Sequence, residues 1–165
     1  MATPPRLTPL LAQFDFARES LTECMVGLTD DEYLWEPAPG ATELVGAGDW
    51  GRDRSLDDPE PAPFTTLAWR LGHLSETMAM RADYTIGKRS LTRTDYRFSG
   101  DAAGALAAFA AALDMVGRST YPNGSDPHWP FIDVVWWENQ ELLHHRAEIA
   151  LMRDLYRARH ESNVG

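Results

Sequence analysis

Cys24 is the only cysteine among 165 residues, so no disulfide can form within the chain, which fits a reducing cytosol. Basic residues are scarce: 15 Lys and Arg stand against 25 Asp and Glu, a net charge of −10. A phosphate-binding surface needs clustered Lys and Arg, so nucleic acid is not an expected partner. The same acidity disfavours an anionic membrane surface. No hydrophobic run is long enough to span a bilayer. The opening residues Ala2-Thr3-Pro4-Pro5-Arg6 hold no apolar run, so no signal peptide is expected and a cytoplasmic location is. Internal repeats are absent. Strand patterning is nearly so, with Glu43-Leu44-Val45 and Asp95-Tyr96-Arg97-Phe98 as the only weak candidates.

What is present is helical. With 44% hydrophobic residues and six Trp, a single domain over residues 1–165 with a sizeable core is expected. Leu10, Phe14, Ala17, Leu21, Cys24 and Leu28 recur at helical spacing, which predicts a first helix over 8–28 with Thr8 as its cap and Thr29-Asp30-Asp31 as its end. Cys24 on that stripe reads as a buried, inert thiol. Pro and Gly then make residues 33–40 a poor helix, and 41–63 read as a long surface loop with little regular structure. The charge run at 53–60 within it is expected to be solvated.

A second helix is predicted from Thr65 or Thr66 to Ile86, stopped by Gly87, with Leu67, Leu71, Leu74 and Met78 as its apolar stripe. The alanine-rich stretch 101–116 predicts a third helix with Ser99 or Asp101 near its cap, and Leu106, Phe109, Leu113 and Val116 facing inward. After a Pro- and Gly-containing link, a fourth helix is predicted from Phe131 to about Arg157, with 159–165 frayed. Four amphipathic helices with a long loop between the first two imply an all-α four-helix bundle.

The chemistry concentrates on the fourth helix. Glu141 and His145 are four residues apart, so they stack nearly one above the other. Val134, Trp137, Met152 and Leu155 share their stripe, which is expected to face the core. A carboxylate and an imidazole on an apolar stripe are costly unless satisfied. A divalent metal, zinc or nickel, would satisfy them, with His73 of the second helix as third ligand. His73 lies roughly 120° from the centre of its own apolar stripe, so it is expected to face a different neighbour or one end of the bundle. Three protein ligands leave a position for water or substrate, the pattern of a catalytic site. The plain alternative is that Glu141 pairs with Arg or His and binds no metal.

Glu148 shares the face of Glu141 and His145. It reads as a replacement ligand, a group that orients a ligand from behind or a base, or simply as a partner for a nearby Arg. His144 is expected to point sideways or to solvent. His128 reads as a loop histidine, and His160 lies in the tail with no assigned role. Trp35, Trp69, Trp136 and Trp137 read as core or pocket wall.

These segments resemble one family. Trp69 to Leu74, Trp-x-x-x-His-Leu, resembles the second-helix motif of the DinB-like (YfiT-like) four-helix-bundle metalloprotein superfamily. Residues 141–149, Glu-Leu-Leu-His-His-Arg-Ala-Glu-Ile, are similar to its fourth-helix His-x-x-His-His-Arg-Gly-Gln-Ile motif. Trp35-Glu36-Pro37-Ala38 is similar to the Trp-x-Pro-Ala turn after its first helix. The resemblance implies His73 and His145 as first and last metal ligands. Glu141 stands where most members have histidine, and Ala147 and Glu148 replace Gly and Gln.

A His-Glu-His set is similar to that of mycothiol-dependent maleylpyruvate isomerases, whose usual C-terminal domain has no counterpart in these 165 residues. The resemblance therefore implies a metal-dependent enzyme using a low-molecular-weight thiol as cosubstrate, with transferase or isomerase chemistry. A metal-dependent hydrolase is the alternative, and a non-enzymatic metal- or small-molecule-binding bundle is the second. A small-molecule substrate and a homodimer formed through a helix face are the expected partners.

Overall fold

In a computed structural model of the protein, residues 5–39, 41, 44–45, 51–52, 64–118 and 131–161 are described. They form α1 (Thr8–Cys24), α2 (Asp30–Tyr33), β1 (Leu44–Val45), β2 (Gly51–Arg52), α3 (Leu67–Ile86), α4 (Ala102–Arg118) and α5 (Phe131–Glu161). The four long helices are the expected bundle. His128, Val116 and the 53–60 charge run lie outside the described residues or side chains, as does that of Val134.

Local chemistry sets the helix ends. Thr66 caps α3, its Oγ1 accepting from the Trp69 N–H at 3.1 Å, and Gly87 follows its last residue. Asp101 accepts from the Gly104 N–H at 2.7 Å and starts α4. Two expectations at α1 fail. Leu7 occupies its cap position without a side-chain bond, and Thr8 is already helical, with a Pro in the first turn. The helix also ends at Cys24, short of Leu28, because the chain turns at Gly27 with φ 75°. Thr29 does not close α1. It opens the short α2, which the sequence reading missed, by accepting from the Glu32 N–H at 3.3 Å.

The loop after α2 carries more order than expected. Leu44 pairs with Arg52 and Val45 with Gly51 in a two-stranded antiparallel ladder. The other strand candidate, 95–98, is instead a turn, with the Asp95 and Tyr96 N–H groups both donating to the Thr92 carbonyl at 3.1 Å. Phe98 then lies on α3 at Gly72, where a Cβ would sit 2.4 Å from its ring.

The core joins Phe14, Ala17 and Leu21 of α1 to Leu67, Leu71, Leu74 and Met78 of α3, Phe109 and Leu113 of α4, and Leu142, Ile149 and Met152 of α5. Buried Ala102, Ala105 and Ala112 let α4 lie close to α3. Cys24 is half-buried against this core. The α5 stripe departs from expectation at its ends. Its buried line drifts round from Met152 to Arg153, which leaves Leu155 49% exposed, and Trp136 lies on the outer face at 56%. Residues 159–161, expected to fray, continue α5.

One ion pair ties the helix ends together. Arg153 donates from Nε and Nη2 to the two Glu32 oxygens at 2.7 and 3.0 Å, and both side chains are buried. Its Nη1 donates to the carbonyls of Cys24 and Val26, at the C-terminal end of α1. Breaking one half of such a pair leaves an uncompensated charge. Arg153→Ala is expected to lower unfolding free energy by about 3–5 kcal/mol in urea denaturation. The apolar replacement Glu32→Leu with Arg153→Met is expected to recover much of that loss.

Candidate metal centre

α3 and α5 run antiparallel and meet through polar side chains. Arg70 of α3 reaches Glu148 and Met152 of α5 at one end. Arg81 reaches Glu138 at the other. Between them, His73 turns away from the α3 apolar stripe and faces α5, which settles its angular offset in favour of a neighbouring helix over one end of the bundle.

Here the structure brings together the three residues singled out in the sequence. The Glu141 Oε2 lies 3.6 Å from His73 Nε2 and 3.5 Å from His145 Nε2. One ligand atom from each residue falls within 4.8 Å of the others, and no other such His/Cys/Asp/Glu group occurs among the described residues. Ligands at about 2.0–2.1 Å around a tetrahedral ion are separated by about 3.3 Å, so the two observed spacings fit a zinc-sized ion with little movement.

One of the two imidazoles is held from behind. His145, 7% exposed, has its Nδ1 2.8 Å from Glu148 Oε2. An ionised carboxylate only accepts, so Nδ1 carries the proton and Nε2 presents its lone pair toward Glu141 and His73. Arg70 pairs with the same Glu148 oxygen, and its Nε approaches Met152 Sδ at 3.2 Å. Burial lowers the His145 pKa to about 3, assisted by the fields of His73, His144 and Arg70. The ring is therefore neutral near pH 7, the form that ligates. Trp69 stacks on His73 at 4.9 Å and meets His145 edge-on at 6.2 Å, forming a wall of the site.

Other expectations are resolved by place. His144 is on the outer side, 60% exposed, with Nε2 3.2 Å from the second Glu148 oxygen. Glu148 thus meets the expected nearby Arg and also a ligand-type histidine. Trp35 packs with Tyr156 and His160 near the end of α5, away from this cluster. Trp137 carries the Arg81 guanidinium 4.8 Å above its ring. Glu138 is buried, which pushes its carboxyl up to about 7 against the opposing effect of Arg81. The sequence reading missed Arg70, Arg81 and Glu138. Glu138 stands three residues before Glu141, and Arg81 eight after His73, so helical register with the ligand residues was the available signal. A cavity of about 460 Å³ between α1 and α4, lined by Arg18, Thr22, Glu23 and Asp114 among others, shares no residue with the cluster.

The neutral burial of His145 has a consequence for the metal-free protein. Its folded pKa lies below the ordinary value of 6.5, so the unfolded chain takes up the proton first as pH falls. This stabilising contribution is complete above pH 6.5 and is lost as pH drops toward 3. In chelator-treated protein, wild type is expected to lose stability relative to His145→Asn over that window, read as urea midpoints at stepped pH.

No helix of the described residues is long and apolar enough to cross a membrane. No curated protein and no solved structure matches the chain. The DinB superfamily matches it over residues 13–149. That span holds the Trp35 turn, the Trp69–Leu74 motif and the whole 141–149 segment, and the chain belongs to the DinB superfamily.

Proposed function

We propose that the chain is a metal-dependent enzyme whose divalent ion, zinc or nickel, is held by His73, Glu141 and His145. The observation that carries this reading is the convergence of three ligand atoms from two helices around one point. When bound, such an ion holds a low-molecular-weight thiol as thiolate or acidifies a water. The chain's own residues do the rest. Glu148 fixes the tautomer and orientation of His145, and Arg70 fixes Glu148. Trp69 keeps water from one side of His73. Because Glu148 is engaged by Arg70, His144 and His145, it serves as a positioning residue in this reading and not as a free base.

Thiol-dependent transfer or isomerisation is favoured over hydrolysis, because a carboxylate takes the place of a third histidine at position 141. Thiol-stimulated turnover, with none of ester or amide substrates in its absence, supports that choice, and the reverse pattern reverses it.

Elemental analysis is the direct test of the site. Purified untagged protein is expected to carry close to one zinc or nickel per chain, and His145→Ala to carry almost none. A wild type that stays metal-free after incubation with both ions would sink the reading. Outer-shell support is separable from ligation. Glu148→Gln is expected to weaken metal affinity by about 10–100-fold in competition with a chromophoric chelator, without abolishing binding.

A further inference from the structure

The polar seam between α3 and α5 continues past the ligand cluster. Thr77 follows His73 by about one helical turn and Arg81 by about two, so the three share one face of α3. On α5, Glu138 precedes Glu141 by about one turn. The Arg81 Nε is paired with Glu138, and one face of the guanidinium rests on Trp137. Its Nη1 is buried and has no hydrogen-bond partner among the described residues. The Thr77 hydroxyl is in the same condition.

Helical Ser and Thr commonly return their hydroxyl to a carbonyl one turn back. Ser75 and Thr85 do so here, at 2.7 and 3.0 Å, and Thr77 does not. Buried donors without partners are costly and uncommon, and a ligand is one way to satisfy them. The Arg81 side chain is 15% exposed and Trp137 half-buried, so the place is reachable from solvent. Helical side chains lean toward the N-terminus, which carries Arg81 back toward Thr77 and His73.

We propose that Arg81 and Thr77 form a carboxylate-binding subsite, so that the molecule acted on at His73, Glu141 and His145 is a small carboxylic acid. This rests on the metal-site reading above and adds the substrate class. The unpartnered Nη1 of the guanidinium suits one oxygen of a carboxylate, and the Thr77 hydroxyl donates to the second. Glu138 is paired with Nε and need not move. The seam already contains three carboxylates, Glu138, Glu141 and Glu148, against Arg70 and Arg81. A divalent ion makes its net charge positive by one, which suits a single carboxylate better than a doubly charged phosphate. One turn is about 5.4 Å, so the carboxylate and the metal-facing atom are separated by an acetate- or propionate-length backbone.

The test is calorimetric titration of the cobalt-loaded protein with 3-mercaptopropionate and with 3-mercaptopropanol, its neutral analogue of similar length. Cobalt absorption reports whether the sulfur reaches the metal. The acid is expected to bind about ten- to a hundredfold tighter than the alcohol. That ratio is expected to fall to near one in Arg81→Met combined with Glu138→Gln, a pair chosen so that no carboxylate stays buried alone. Thr77→Val, nearly isosteric, is expected to reduce it severalfold. Circular dichroism establishes that each variant is folded.

Equal binding of acid and alcohol by wild type overturns the subsite, and so does a preference that survives the double variant. Absence of cobalt uptake sinks the metal reading instead. Propionate titrated into metal-free Glu141→Gln protein, in which the same groups sum to zero charge, then still reads the subsite, and binding that is absent or indifferent to Arg81 overturns it. Cobalt uptake with tight propionate binding, and no spectral response to the thiol, assigns the carboxylate to a sulfur-free substrate.

Discussion

Burying charge between two helices is the constraint on which this molecule turns. Isolated charges inside a protein cost several kcal/mol each, so each must find a partner in place. α3 and α5 meet that condition along a line of ionic groups: Arg70 with Glu148, His73 and His145 around Glu141, and Arg81 with Glu138. The apolar packing is arranged around this line. α3 lies close against α4, where alanines allow short approach, Gly72 admits the ring of Phe98 from the link before α4, and α1 lies along α5. The α3–α5 face is left to side chains long enough to bridge a wider gap. A site forms there because the two helices are held apart by what they carry and held in place by their other neighbours.

Arg153 and Glu32 extend the same logic to the far end of α5. A guanidinium on α5 that serves two carbonyls at the end of α1 and both oxygens of a carboxylate from α2 fixes three chain segments at one point. The bidentate geometry matters more than the charge count, since it allows only one relative position of α2 and α5. Tyr33, beside Glu32, is buried and donates to the Ser99 carbonyl at 2.8 Å, and Asp30 accepts from the Ala102 N–H at 2.9 Å. Four residues of α2 therefore locate the start of α4 as well as the end of α5, although α2 alone is too short to be stable.

The legible part of the fold was local. Apolar spacing gave the inward faces of α1 and α3, and Thr66 and Gly87 gave the ends of α3, because periodicity and caps are encoded within a few residues. The grouping of His73, Glu141 and His145 was legible in part for the same reason: Glu141 and His145 lie on one helix, while the offset of His73 turned it from its own stripe without choosing between another helix and one end of the bundle. What escaped depended on pairs far apart in sequence. Neither Arg153 nor Glu32 announces its partner 121 residues away, and Arg81 gives no local sign of Glu138. The α1 end was misplaced because the apolar pattern runs through to Leu28, while Gly27 takes a left-handed turn that the pattern does not register. Leu155 was misplaced because a 31-residue helix lets its buried stripe drift round the axis.

Three glutamates on one face of α5 illustrate how surroundings divide a single residue type into separate roles. Glu138, Glu141 and Glu148 follow at helical intervals, yet each meets a different partner. Glu148 is the most accessible, at 31% of its side chain, and its two oxygens are divided between His144 on one side and His145 with Arg70 on the other. Its negative charge is spent on holding an imidazole proton. Among the described residues Glu141 pairs through its Oε2 with two Nε2 atoms, both at more than 3.4 Å, so its charge is available to a cation placed between them. Glu138 is the most buried, and desolvation competes there with Arg81 for control of its proton. A protonated Glu138 releases the guanidinium electrostatically, and an ionised one restrains it. The helix supplies the register, and the opposing residues decide which carboxylate orients an imidazole, which stands between two histidines and which pairs with an arginine.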